Sequence, residues 1–271
     1  MADMTLNKEP QSINSTRVRY LPTVAWQQED NTLCGRSTVL AAFIGYLGAS
    51  DSPKTLEKVY TIAEKWWARR ENRVEETING SSITVGTDIY NLALLIQTLG
   101  NQLGLQLEVG VFLSGRSMAE LDRGIGEENR LRGDKVEHIR HPSASISRYL
   151  CREKVWEDNS PHASGGAAFS TEELSVEEIK KRVQNGEYVI INSRDHWLLA
   201  FGIEEETSGT GTKESLVLMN PESAVNKEGK SQVLKKSSME FNSRYLSEGK
   251  FPAISLKFNP APKMQEKALD Q

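Results

Sequence analysis

Cysteine and long hydrophobic runs are the scarcest features of this sequence. Only Cys34 and Cys151 occur among its 271 residues, so at most one disulfide can form and a disulfide-stapled scaffold is excluded. No run of about 18 apolar residues is present, so no transmembrane helix is expected. The first residues, MADMTLNKEPQSINSTR, lack the basic and apolar regions of a secretory signal. We therefore expect a protein of the reducing cytoplasm, in which a lone thiol can have a chemical role.

An excess of positive charge is also absent. The chain has 33 Lys and Arg residues against 37 Asp and Glu, and this balance argues against a nucleic-acid partner. With 38% hydrophobic and 26% charged residues, the composition is that of an ordinary globular protein. We expect one folded domain over residues 17–258. The polar segments 1–16 and 259–271 carry little periodic hydrophobicity, and we expect them to be disordered tails.

The hydrophobic pattern predicts helices in the first half of the chain and strands in the second. Helical spacing of apolar residues begins at Cys34, and two more helices are expected over about 54–70 and 88–103. A capping box, Ser175 with Glu178, opens a fourth helix. Three apolar runs follow, and the last two, HWLLAFGIE and SLVLMNP, flank TSGTGTK, which predicts a β-hairpin. The expected fold is α+β, with a helical half at 17–150 and an antiparallel sheet half at 172–258.

Three residues form a candidate set for nucleophilic catalysis. A catalytic cysteine needs a base, a group that orients the base, and donors for the developing oxyanion. At a helix N-terminus, Cys34 gains from the helix dipole, which favours a thiolate, and from backbone N–H groups without an acceptor in the helix. His196 begins one strand of the predicted hairpin and Asn220 ends the other. If the strands pair antiparallel, these two become neighbours, as a base and its orienting partner must be.

The same residues resemble the papain-like cysteine peptidase superfamily, and within it the bacterial double-glycine-type, bacteriocin-processing-like peptidases. The resemblance covers about residues 20–45 and 172–222. It rests on QEDNTLCG, HWLLAFG and LMNP, through Gln28, Cys34, Gly35, His196, Gly202 and Asn220. It implies a papain-like fold in which the helix of Cys34 packs on the antiparallel sheet.

The resemblance also implies roles for individual residues. Cys34 would be the nucleophile, His196 the base, Asn220 the orienting group and Gln28 an oxyanion donor. Gly35 would let a substrate approach the first turn of the helix closely. We expect neither a cofactor nor a metal.

Departures from the family narrow the expected function. Double-glycine peptidases usually have Asp at the position of Asn220, whereas papain uses Asn, so the orienting role survives. The missing secretion signal and disulfides favour the cytosolic or host-delivered branch of the superfamily, whose bacterial effectors are proteases, glutamine deamidases or transglutaminases. We expect a cysteine protease first, acting on a protein or peptide substrate, with deamidation and transglutamination as alternatives. A catalytically silent papain-fold binding module is the remaining alternative.

Each candidate residue also has a purely structural interpretation. Cys34 could be a small buried core thiol, and His196 a histidine that merely ends a strand. Asn220 precedes a proline and would also suit a turn. Gln27 competes with Gln28 for the oxyanion role, although the spacing favours Gln28.

The remaining polar and aromatic residues carry less weight. Cys151 has no second His–Asn pair near it and is expected to be inert. His138 and His141 lie in the charged segment 115–142, but their spacing matches no metal motif. Trp197 could line the cleft or belong to the core. The sequence assigns no role to the segment 115–142.

Overall fold

The computed structural model describes residues 15–24, 26, 33–48, 52–69, 74–78, 81–87, 89–112, 168–170, 172–193, 196–208, 211–222 and 249–269. These ranges contain four helices, each close to a predicted position. They are α1 (Cys34–Leu47), α2 (Pro53–Trp67), α3 (Ile89–Leu103) and α4 (Val176–Gln184). None of the helices within these ranges is long and apolar enough to cross a membrane.

Strands dominate the second half of the described chain, but the first half contributes to the same sheet. The strands are β1 (Ser15–Tyr20), β2 (Val74–Ile78), β3 (Ser81–Gly86), β4 (Gln106–Phe112), β5 (Ala168–Ser170), β6 (Leu174–Ser175), β7 (Tyr188–Ser193), β8 (His196–Ser208), β9 (Gly211–Met219), β10 (Lys250–Phe251), β11 (Ala253–Asn259) and β12 (Gln265–Leu269). Eight of them form one sheet in the order β12-β1-β8-β7-β11-β4-β5, with β9 paired to β8. Only the β4–β5 pair in this sheet is parallel. The architecture is mixed α+β.

The sheet is covered on both faces. One apolar cluster joins α1, α2 and α3 to the sheet through residues such as Phe43, Leu95 and Phe201. The other joins α4 to the opposite face through residues such as Ile179 and Leu198. Strand β7 therefore reads as a continuous apolar run, because a strand buried on both faces has no solvent side to alternate with.

Helix α1 lies in the centre of the larger cluster. Every residue from Cys34 to Gly45 is buried, as expected for a helix that is apolar on all sides. The one charged residue in this stretch is Arg36, which is 1% exposed. Its guanidinium forms an ion pair with Glu64 of α2 and lies 5.9 Å from the ring centres of both Tyr60 and Trp67. A buried cation is thus neutralised by Glu64 and lies near two aromatic rings of α2, which ties α1 to α2.

Strand β8 is the longest of the described strands, and three other strands pair with it. Strand β7 pairs with its first part and β1 with its second part, while β9 pairs with it along the opposite edge. The register between β8 and β9 shifts by one residue between Ala200 and Gly202. The Phe201 carbonyl at this bulge accepts a hydrogen bond from Leu21 N–H at 2.7 Å. At this bulge, the partner of β8 on one edge changes from β7 to β1.

Two boundary predictions are wrong. The expected tail at 259–271 contains β12, which pairs antiparallel with β1 along Thr16–Tyr20. Backbone pairing and an ion pair between Arg17 and Glu266 at 3.3 Å hold this edge strand, so hydrophobic periodicity gave no sign of it. The division into a helical half at 17–150 and a sheet half at 172–258 also fails, because β1 and β4 belong to the main sheet. Residues 1–14 lie outside the described ranges.

The capping box of α4 is present as predicted. The Ser175 hydroxyl accepts from Glu178 N–H at 3.3 Å, and the Glu178 carboxylate accepts from Ser175 N–H at 2.8 Å. The pKa of the Glu178 carboxyl is lowered, chiefly by its hydrogen bond with the Ser175 side chain and next by its hydrogen bond with the Ser175 backbone. A carboxylate with a lowered pKa stabilises the fold above its ordinary pKa, and this effect is lost as the pH falls through the lowered value.

Replacing Ser175 with Ala is expected to destabilise the chain by about 1 kcal/mol at pH 7, because one helix N–H loses its acceptor. Urea unfolding measures the change. Glu177→Gln is the matched control, since it alters the same exposed turn without touching the cap. A Ser175→Ala protein as stable as the control would contradict the prediction.

Candidate active site

Cys34 is the first residue of α1 and is 6% exposed. Its preceding residue, Leu33, offers no side-chain cap. The first hydrogen bond of the helix runs from Ser37 N–H to the Leu33 carbonyl at 2.9 Å. The N–H groups of Cys34, Gly35 and Arg36 therefore have no acceptor within the helix. The thiol lies at the positive end of the helix dipole, where negative charge is stabilised.

His196 is fixed by the strand that it begins. It is the register partner of Ser193 on β7, and its side chain is 14% exposed. The next residue, Trp197, is buried, and its indole N–H donates to the Thr87 carbonyl at 3.2 Å. Trp197 is therefore a core residue, one of the two roles that the sequence left open. It anchors the backbone beside His196 to the segment before α3.

Asn220 accepts a hydrogen bond from the His196 ring. The distance between His196 Nε2 and Asn220 Oδ1 is 2.8 Å. Glu222 N–H also donates to Asn220 Oδ1, at 3.0 Å. A backbone N–H can only donate, so the side-chain atom facing it and the ring must be the oxygen. His196 therefore carries its proton on Nε2, which leaves Nδ1 as the nitrogen that can accept a proton.

Cys34 and His196 are also in contact through a hydrogen bond between their side chains. Burial alone would lower the pKa of His196. The hydrogen bonds to Cys34 and Asn220, with the charges of Cys34 and Glu222, outweigh burial and raise this pKa above its ordinary value. A histidine with a raised pKa stabilises the fold below its ordinary pKa, and the effect is lost as the pH rises through the raised value. The site thus favours a protonated imidazole.

Gly35 serves packing rather than substrate access. A Cβ on Gly35 would lie 2.9 Å from Leu92 Cδ1 and 3.0 Å from Thr87 Cγ2. The space that a side chain at Gly35 would take is thus filled by protein, so a substrate does not approach α1 on this side of Gly35. The absent side chain instead lets α3 and Thr87 pack against the start of α1. Thr87 therefore contacts both the helix of Cys34 and, through Trp197, the strand of His196.

Several predicted residues lie outside the described ranges. They are Gln28 and its competitor Gln27, the second cysteine Cys151, and the histidines His138 and His141 with the charged segment 115–142. Among the residues that are described, no group of three or more His, Cys, Asp and Glu side chains could hold a metal ion.

Glu222 is a site residue that the sequence analysis missed. Its carboxylate Oε1 lies 3.9 Å from His196 Nδ1, and its side chain is 49% exposed. The signal was present in the sequence: Asn220 precedes a proline, and an asparagine in a turn accepts from the backbone two residues further on. Such a turn brings the backbone of Glu222 close to the Asn220 side chain, which orients His196.

Comparison of the sequence with models of known protein families gave no match, and no curated protein matches it either.

Proposed function

We propose that the chain is a cysteine-dependent acyl-transfer enzyme with a papain-like fold, and that peptide-bond hydrolysis is its reaction. The hydrogen bond of 2.8 Å between His196 and Asn220, at a histidine that also contacts Cys34, carries this proposal. The fold assignment is supported by a buried helix that begins at Cys34 and packs against β8 of an antiparallel sheet. The substrate class is a protein or peptide, and no cofactor is required.

In the proposed reaction, His196 accepts a proton from Cys34 and later donates it to the leaving group. His196 Nδ1 takes the Cys34 proton, and the sulfur forms a bond to the carbonyl carbon of the substrate. The backbone N–H of Cys34 donates to the oxyanion, and Gln28 is the predicted second donor. As the C–N bond breaks, Nδ1 returns its proton to the leaving amine. Water then attacks the thioester and regenerates the thiol. Asn220 keeps the ring in the productive orientation throughout.

Alkylation of the two cysteines tests this proposal directly. At pH 6, iodoacetamide is expected to modify Cys34 at least about 100-fold faster than it modifies an ordinary thiol, because only the thiolate reacts. Peptide mapping by mass spectrometry distinguishes Cys34 from Cys151 in the same sample. In a Cys34→Ala variant the fast phase should disappear. A fast phase that survives this substitution would refute Cys34 as the nucleophile.

Deamidation and transglutamination share the same thioester. Mass spectrometry of a treated protein separates them from hydrolysis, since a protease cuts the backbone, a deamidase adds about one dalton to an intact chain, and a transglutaminase adds the mass of an amine.

One observation favours the catalytically silent module. Cys34 is only 6% exposed, whereas a substrate carbonyl must reach its sulfur. A folded protein whose Cys34 resists iodoacetamide at pH 6 would support this second candidate and overturn the first.

A further inference from the structure

The two proposed reacting residues come from different elements of the fold. Cys34 begins α1, whereas His196 begins β8 and pairs with Ser193 of β7. The hydrogen bond between Cys34 and His196 joins only their side chains, so it depends on where the start of α1 lies relative to the start of β8. Proton transfer needs the two groups within hydrogen-bond distance of each other. Whatever fixes these two starting points therefore decides whether the pair can exchange a proton.

Trp197 and Thr87 form a bridge between the two elements. The indole N–H of Trp197, the residue after His196, donates to the Thr87 carbonyl at 3.2 Å. The side chain of Thr87 packs against the first turn of α1, since a Cβ on Gly35 would lie only 3.0 Å from Thr87 Cγ2. Trp197 and Thr87 are both buried, so the bridge lies in the protein interior. It runs from the residue after His196 to the residue after Cys34.

The bridge leaves little freedom to the residues that it joins. A buried indole N–H needs an acceptor, so the ring of Trp197 is held where it reaches the Thr87 carbonyl. At the other end, Leu92 of α3 also packs at Gly35, where an added Cβ would lie 2.9 Å from Leu92 Cδ1. A close-packed interior transmits displacements instead of absorbing them. A change at Trp197 or Gly35 is therefore expected to alter the separation of β8 and α1 at the site.

We propose that Trp197 and Thr87 are positioning residues, which hold the His196 imidazole within proton-transfer distance of the Cys34 thiol. This inference rests on the acyl-transfer function proposed above. The proton passes from Sγ of Cys34 to Nδ1 of His196 as described there, and neither Trp197 nor Thr87 takes part in the transfer. They act through the two residues that they hold, so loss of the bridge lowers the reactivity of Cys34 near pH 6.

Trp197→Phe tests the bridge, because phenylalanine keeps an aromatic ring in the core but cannot donate to the Thr87 carbonyl. The rate at which iodoacetamide alkylates Cys34 at pH 6 is expected to fall about tenfold, the size of a weakened hydrogen bond to a charged group. The loss should shrink as the pH approaches 9, where the thiol ionises without help from the histidine. Peptide mapping of the full chain by mass spectrometry, from pH 5 to 9, gives the rate at Cys34.

Phe258→Leu is the matched control, since it also shrinks an aromatic side chain of the larger apolar cluster. Phe258 stacks on Tyr46, which lies about 18 Å along α1 from Cys34. Its pH profile should equal that of the wild type, although both variants lose core packing. If Phe258→Leu slowed alkylation as much as Trp197→Phe, general loss of packing would explain the effect and the positioning role would be wrong.

The wild-type rate separates failure of the bridge from failure of the proposed function. A fast wild type together with an unchanged pH profile in Trp197→Phe would overturn the positioning role and leave Cys34 as the nucleophile. A wild type whose Cys34 reacts no faster than an ordinary thiol would refute the proposed function, and the positioning role with it.

A second set of variants reaches the bridge from Gly35 and keeps Trp197 intact. In Gly35→Ala the added Cβ would press on Thr87 Cγ2, so alkylation at pH 6 should slow by a similar factor. Adding Thr87→Ser removes this methyl group but keeps the carbonyl that accepts from Trp197. The remaining close contact is with the end of the Leu92 side chain, which can rotate away, so the double variant should recover most of the wild-type rate. No recovery would mean that Gly35→Ala acts on Cys34 directly, and this would contradict the bridge.

Discussion

Replacing His196 with Ala is expected to slow the alkylation of Cys34 by iodoacetamide at pH 6 by about 100-fold. Without the imidazole, the sulfur must ionise unaided, and an ordinary thiol is only about 0.3% thiolate at this pH. In the proposed reaction the ring of His196, which has a hydrogen bond with Cys34, takes this proton. Because the pKa of His196 is raised, the ring still holds that proton at a pH where an ordinary histidine has begun to lose it.

The difference in alkylation rate between the wild type and His196→Ala should depend on pH. The gap between wild type and His196→Ala should be widest in mildly acidic solution, and it should close as the pH approaches 9, where an unaided thiol ionises by itself. Rates measured from pH 5 to 9 provide the test. A constant ratio across this range would contradict the shared proton.

Asn220→Asp is the matched control for this experiment. A carboxylate oxygen can accept from both His196 Nε2 and Glu222 N–H, so the orientation of the ring is preserved. Alkylation of Cys34 in Asn220→Asp should therefore stay within about tenfold of the wild-type rate. If His196→Ala reacted as fast as Asn220→Asp at pH 6, His196 would not be the base.

The meeting of His196 and Asn220 could be predicted from the sequence only in part. The Gly-rich turn predicts a hairpin, and a hairpin brings the start of β8 near the end of β9. The face on which the two side chains lie depends on the register, which the bulge between Ala200 and Gly202 shifts by one residue. Continued without this shift, the pairing would align Asn220 with Leu199 and place it on the face opposite His196.

The sequence only weakly predicts the bulge, whereas the structure shows a clear physical reason for it. An isolated glycine within an apolar strand suggests a bulge. A Cβ on Gly202 would lie 2.8 Å from the Arg19 carbonyl, because β1 joins the sheet at this point. That contact joins residues far apart in the chain, so no local pattern could reveal it. The same reason hid β12, whose partner is the strand at the opposite end of the chain.

Replacing Gly45 with Ala is expected to destabilise the chain by about 3 kcal/mol, at the upper end of the usual cost of overpacking. A Cβ on Gly45 would lie 2.4 Å from the Pro22 carbonyl oxygen and 2.4 Å from Thr23 Cα. Both are backbone atoms, and hydrogen bonds restrict the movement of both residues. The Tyr188 hydroxyl donates to the Pro22 carbonyl, and Thr23 Oγ1 donates to the Ala41 carbonyl at 3.3 Å. Burial raises the pKa of Tyr188, so its hydroxyl remains a donor.

Gly100→Ala is the matched control, because it also adds a methyl group to a buried helix. There the new Cβ would meet the Leu107 side chain, with Cδ1 at 2.3 Å, and that end of a flexible side chain can rotate away. The helix propensity of Ala offsets about 1 kcal/mol of the cost in both variants, so the difference between them reports the backbone contact at Gly45. Urea unfolding should therefore show a clearly larger loss for Gly45→Ala than for Gly100→Ala. Equal losses would mean that the Pro22–Thr23 backbone can move away from α1, and that contact could then not fix the helix that begins at Cys34.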